Sequence, residues 1–242
     1  MAALKDASGN RQPASAPPVV NAVAGSATRF FIYLGTGQYF SVDDVPGTST
    51  PNNFATQTQT IYGIVDDTSV SSPSLPDIRN TSGSCPANGG NGDFACQVAT
   101  STTGGGFRVS HNTVDLTSKR GFYLDIPISG GRVNTQVAVT AGGTLVVVVN
   151  KPTNETCNPG GSSFFFQLSA VTGGAIPKTI GGTEFYDSVF VVADALSSRP
   201  VIVTTAGRPR GLLRLSDKTT QSREIDETAI STFRRIYMRP LN

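Results

Sequence analysis

Between Lys119 and Gly174 the sequence sets short runs of Val, Phe, Tyr and Thr against breaks rich in Gly, Pro and Asn. Runs of β-favouring residues bounded by turn formers read as strands. Four follow in succession, at 121–126, 132–139, 144–150 and 163–170. Within the third, Val146 through Val149 form a continuous apolar run, which suits a strand buried on both faces. Four antiparallel strands joined by tight turns make a meander, the unit of a β-propeller blade and one that also serves in a sandwich. The architecture then depends on whether the chain repeats this unit.

It does, irregularly. Strands are expected at 18–24, 28–35 and 58–65, with a polar loop at 41–57 long enough for one helical turn. A third set is expected at 199–205, 211–216 and 233–240. The reading is therefore a single all-β domain over 1–242, with blade-like units at about 17–66, 119–174 and 199–240. Residues 67–106 are dense in Ser, Thr, Asn and Gly and carry no periodic pattern. So long a stretch inside a compact domain reads as a surface loop insertion, followed by a short hairpin at 107–116. No window of helical length shows a 3.6-residue apolar period before the last thirty residues.

Only 15% of the residues are charged, against about a quarter in ordinary soluble domains. A surface solvated by Ser, Thr, Asn and Gly is expected of an exported protein. The net charge of +2 conceals an asymmetry: from Arg199 onward there are nine Lys/Arg against four Asp/Glu. These arginines alternate with strand formers and no stacked-aromatic RNA motif accompanies them, so the expectation is a solvated or inter-subunit face and no nucleic acid. The first residues lack the basic and apolar regions of a signal peptide, and no apolar run approaches the roughly 20 residues that cross a bilayer.

Three cysteines are present. Cys85 and Cys96, with ten residues between them in a Gly-rich loop, are spaced to close a small disulfide ring worth roughly 2–3 kcal/mol. The alternative is a pair of free thiols in a reducing compartment. Cys157 is left over, free or paired to another segment or chain. Zinc is not expected, with one histidine and no C-x₂-C pair. That histidine, His111, would have to carry any Ser-His-Asp or Cys-His mechanism, and no nucleophile-elbow motif lies near it. Gly35-Thr36-Gly37 begins like a dinucleotide fingerprint but lacks its third glycine and its βαβ unit, so it reads as the end of a strand. Asp43-Asp44 and Asp66-Asp67 lack the alternating spacing of an EF-hand-type calcium loop and read as turn residues. Asn80-Thr81-Ser82 and Asn154-Glu155-Thr156 match the glycosylation sequon, a pattern frequent by chance. No catalytic, cofactor or metal site is expected, and the chain reads as a non-enzyme.

Several segments carry a family likeness in a fixed order: FIYLGTGQYF (31–40), TQTIYGIVD (58–66), RGFYLDIP (120–127), GRVNTQ (131–136) and CNPGGSSFFFQLS (157–169), closed by TGG (172–174). They resemble the C-terminal propeller of the PilY/PilC-type type IV pilus tip adhesins, as do KDASGNRQP (5–13) and FRRIYMRP (233–240) at the two ends. The resemblance implies a modified, here partial, propeller of the quinoprotein-dehydrogenase type. It further implies a pilus assembly factor and adhesin at the pilus tip or outer membrane surface, exported via the periplasm. Such a protein acts with minor pilins in pilus extension and attachment to host or abiotic surfaces. Some members of that family carry a calcium loop, and no segment here matches it, so calcium is assigned to no residue. Three blade-like units cannot close a ring. Hence the chain is expected to be the C-terminal part of a larger protein, completed by its N-terminal part or by a partner chain. Two other functions compete: a carbohydrate-binding or other extracellular β-structured binding module, and, less well supported by the residues, a quinoprotein-type dehydrogenase.

Overall fold

A computed structural model describes residues 3–71, 78–79, 85, 93–103, 105–154, 160–180, 183–185 and 187–227. With 44% strand and 2% helix the chain is all-β. The first strands are β1 (Val19–Ala22), β2 (Arg29–Gly35), β3 (Thr60–Asp67), β4 (Ala95–Gln97), β5 (Ala99–Ser101) and β6 (Phe107–Val109). Next come β7 (Gly121–Asp125), β8 (Ala138–Val139), β9 (Thr144–Pro152), β10 (Gly161–Ser169), β11 (Lys178–Ile180) and β12 (Thr183–Phe185). The last are β13 (Asp187–Ala193), β14 (Val201–Thr205), β15 (Arg208–Arg214) and β16 (Thr220–Glu224).

They form three open sheets and a two-strand ribbon. The first sheet has the order β1-β2-β3-β7-β4, antiparallel except for the parallel β7–β4 edge. The second runs β5-β6-β13-β10-β9-β8, and the third β14-β15-β16. β11 and β12 make the ribbon.

The sheets stack because their strands alternate apolar residues between two faces. Phe31 and Tyr33 of β2, Ile61 of β3, and Phe122 and Leu124 of β7 share one core with Val147 and Val149 of β9 and with Phe166 and Leu168 of β10. The Tyr33 hydroxyl, buried in this core, donates to the Ala170 carbonyl at 2.8 Å and so ties the first sheet to the second. Val146, Val148 and Phe165 belong instead to a second core with Leu213, Leu215 and Ile225. The run Val146 through Val149 thus lies in a strand covered on both sides, as its unbroken apolarity implies. The second sheet is the middle layer. Beyond the first sheet, Tyr62, Leu34, Ile64 and Tyr123 form a smaller cluster with Leu4, Ile78 and Phe94.

One grouping from the sequence needs correction. The strand expected at 121–126 does not join those at 144–150 and 163–170: β7 pairs with β3 in the first sheet. The reason is a glycine register. Gly63 stands opposite Phe122, and a β-carbon on Gly63 or on Gly173 would overlap the Phe122 ring. The bare backbone makes the slot into which the ring settles. Past Pro127, Gly130 at φ +72° turns the chain over to the second sheet. The strand expected at 132–139 shrinks to one bridge between Arg132 and Asn150 and the short β8.

The stretch read as a loop insertion ends in two strands, β4 and β5, which edge the first and second sheets. In the expected hairpin at 107–116 only Phe107–Val109 is strand. The loop at 41–57 does hold one 3₁₀ turn, Val42–Asp44, capped by Ser41. The strand expected at 233–240 lies outside the described residues.

Candidate functional site

The strands β1, β8 and β14 are each an edge of one of the three sheets, and they meet. Val19 and Asn21 of β1, residues 136–141 around β8, and residues 199–202 leading into β14 line one cleft of about 470 Å³. Arg199 reaches across it, its Nη1 donating to Gln136 Oε1 at 3.2 Å. Val201 stays 49% exposed on its wall. Among the described residues nothing pairs with these three edges on the cleft side. Edge strands carry main-chain donors and acceptors on the side that has no partner strand, so the cleft combines apolar walls with polar backbone.

At the other end of β2, the loop 36–55 is held by one cation and one anion. Arg132 is 2% exposed, yet among the described residues no carboxylate pairs with its guanidinium. It donates to the carbonyls of Gln38 at 2.8 Å and Asp44 at 2.6 Å, and to those of Gly130 and Ala55. Burial lowers the Arg132 pKa, and the charge of Asp44 offsets part of that. The Asp44 carboxylate is likewise buried and accepts from Asn52 Nδ2 and Gln38 Nε2, each at 2.6 Å, and from the N–H groups of Phe40 and Ser41. Burial pushes this carboxyl up, but the four hydrogen bonds outweigh it and hold it at about 2. The pinned loop carries Phe40 and Val42, 78% and 70% exposed, at its tip.

The outer face of the first sheet has a polar clasp. Arg79 forms a two-pronged ion pair with Asp125 and donates to the Thr60 hydroxyl at 2.8 Å; its guanidinium lies 4.7 Å from the centroid of the Tyr123 ring. Burial lowers the Arg79 pKa, but the hydrogen bond and charge of Asp125 raise it further. The Tyr62 hydroxyl meets Gln12 Oε1 at 2.6 Å and the Lys5 carbonyl at 3.0 Å, which binds the N-terminal segment across the sheet. Cys85 and Cys96 are joined by a disulfide with Cα atoms 5.7 Å apart, so residue 85 is fastened to β4.

The other residues singled out from sequence take structural places. His111 is exposed and donates from Nδ1 to the Ala175 carbonyl at 2.7 Å. Asp43 accepts the Thr50 hydroxyl at 2.8 Å, and Asp67 accepts the hydroxyl and N–H of Ser69. Asp66 lies on β3 beside it. Gly35 and Gly37 give room to Val133 and Arg132, because a β-carbon on either would overlap those side chains. Asn154 is engaged too, its Nδ2 donating to the Gly47 carbonyl at 2.7 Å. Asn80 and Cys157 lie outside the described residues. Among the described residues no three His, Cys, Asp or Glu side chains gather where they could hold a metal ion.

Arg132, Arg79 with Asp125, and the cleft at Arg199 escaped the sequence reading. A charge-poor chain that places a lone Arg between two strands, as in GRVNTQ, was the available signal for the first. No family model, curated protein or solved structure matches the chain.

Proposed function

We propose that this chain is a non-enzymatic binding module of a type IV pilus tip adhesin and assembly factor, acting outside the cell with minor pilins in pilus extension and surface attachment. In this reading the three sheets are successive blades of a partial propeller. The blades would be β1-β2-β3-β7, β8-β9-β10-β13 and β14-β15-β16, with β4, β5 and β6 added at sheet edges, and the cleft lined by β1, β8 and β14 would then lie along the propeller axis. Each is then a meander running outward from that axis. The unit read from sequence at 119–174 shifts by one strand, to about 138–193.

The observation that carries the proposal is the way the likeness-bearing segments meet. Arg132 and Val133 of GRVNTQ pack on Gly37 and Gly35 of FIYLGTGQYF. Phe122 of RGFYLDIP sits against Gly63 of TQTIYGIVD and Gly173 of the closing TGG. CNPGGSSFFFQLS supplies Phe165 and Phe166, one to each core of the middle sheet. Mutual packing of these segments is what the reading requires of them, and it supports the reading to that extent.

The remainder of the ring, supplied by another part of the same protein or by a partner chain, would cover the outer faces of the stack. Deleting the gene is expected to abolish surface pili, twitching and attachment, scored by electron microscopy and a surface-motility assay. A deletion strain with normal pili and normal twitching would remove the proposal.

A further inference from the structure

Residues 6–11 and 51–57 face each other across a groove of about 680 Å³. Its floor is fixed from both sides. Asp6 is buried and accepts the N–H groups of Ser8 and Asn10, both at 2.9 Å, Asn10 Nδ2 at 3.3 Å and Gln57 Nε2 at 3.0 Å. Gln57 Nε2 also donates to the Arg11 carbonyl at 3.0 Å. On the facing segment, Asn52 is anchored to Asp44, and its Oδ1 accepts the Phe54 N–H at 3.0 Å.

What the floor leaves over points outward. The side chains of Arg11, Asn53 and Thr56 line the groove, are exposed, and make no hydrogen bond or ion pair among the described residues. Phe54 lines it half-buried. Asp6 is already committed to donors of its own turn and to Gln57, so Arg11 is the charged group offered to a ligand. A fixed floor with a few convergent polar groups and one apolar surface is the general form of a small-ligand site.

Those four side chains ask for one ligand chemistry. An aromatic ring offers a flat apolar face, which suits the C–H face of a pyranose. An amide and a hydroxyl both give and accept hydrogen bonds, as the edge hydroxyls of a sugar require. A guanidinium matches a carboxylate with two parallel hydrogen bonds. A neutral sugar would leave Arg11 unused, and a small inorganic anion would leave Phe54 and Asn53 unused. We propose that this groove binds a carboxylate-bearing pyranose of an acidic polysaccharide or glycan. Arg11 takes the carboxylate, Phe54 the ring face, and Asn53 and Thr56 the hydroxyls. The assignment rests on the adhesive reading above and gives that reading a ligand class.

The test titrates the full chain by calorimetry with an oligogalacturonate, with sialyllactose and with lactose as the neutral control. At least one carboxylated probe is expected to bind tenfold or more tightly than lactose, and which of the two does so separates a uronate polymer from a sialylated glycan. Arg11→Gln is expected to abolish that preference without moving the thermal unfolding midpoint, since Arg11 is exposed. Phe54→Ala is expected to weaken all probes that bind. Equal binding of lactose, an Arg11→Gln variant that keeps the preference, no binding by either acid, or full competition by inorganic phosphate would each overturn the assignment. A strain carrying Arg11→Gln is expected to keep its pili and lose attachment. If the probes fail while gene deletion still removes pili, only the ligand assignment falls.

Discussion

Asp44 and Arg132 show how much one buried charge can organise when the chain has few of them. Each is desolvated and each is repaid by hydrogen bonds: four donors to the carboxylate, four carbonyls to the guanidinium. Removing either would strand its partners, a loss of about 1–3 kcal/mol for each buried polar group left unsatisfied. For Asp44 this makes a pH prediction. Its carboxyl is held at about 2 in the folded chain, against an ordinary 3.8. A carboxyl depressed in the folded state contributes stability that is complete above the unfolded pKa and is lost as pH falls through the folded one. The contribution is about 2 kcal/mol and fades between roughly pH 5 and pH 2. Urea denaturation of the wild type and of Asp44→Asn should therefore give a stability gap that narrows as pH falls through that window. A gap that is constant with pH would show that the carboxylate charge is not what pins the loop.

At the scale of the element, the same glycines that fix strand partners set the tolerance to change. Gly63 and Gly173 both lie against the Phe122 ring, but only Gly173 is also at positive φ, +68°. Gly63→Ala is expected to cost about 1–3 kcal/mol through overpacking, and Gly173→Ala more, because backbone strain adds to the same overlap. Denaturant midpoints of the two variants check the order; a harmless Gly173→Ala would deny that Phe122 holds β7 on β3. This pairing also marks where sequence reasoning runs out. The valines of β9 announced a strand covered on both faces, because an apolar run has one local meaning. Which sheet β7 joins is a long-range matter, and its own periodicity fits either. β16, Thr-Gln-Ser-Arg-Glu, passed unread because its strand state comes from pairing with β15 and not from its residues. β13 differs, since its apolar run from Val189 through Val192 is a local strand signal of the same kind as that of β9. Of the candidate site, the cysteine pair could be read from spacing. The cleft at Arg199 and the Arg11 groove could not, since each joins segments far apart in sequence.

For the whole molecule, three layers with a doubly covered middle make an asymmetric stack. The core between the first and second sheets takes in β2, β3, β7, β9 and β10, the hydroxyl bond of Tyr33 and the larger share of buried aromatic rings. The core between the second and third sheets is smaller, and the third sheet exposes most of β14 and β16 on its far side. Burial of apolar area is the main cohesive term between sheets, at about 25 cal/mol per Å². The layers should therefore not open together. Regions with few buried contacts and exposed strands open at lower free energy than the global transition. Native-state hydrogen exchange is expected to find β9 and β10 amides protected to the level of global unfolding, with β14, β15 and β16 exchanging through a lower-energy opening. On the proposed propeller reading, adding the remaining blades, from a longer form of the protein or from a partner, should raise protection of the third sheet selectively, because they would cover that sheet's far face. Protection in β15 equal to that in β9 in the chain alone would mean the stack is already complete, and that the open ring is the wrong description of this fold.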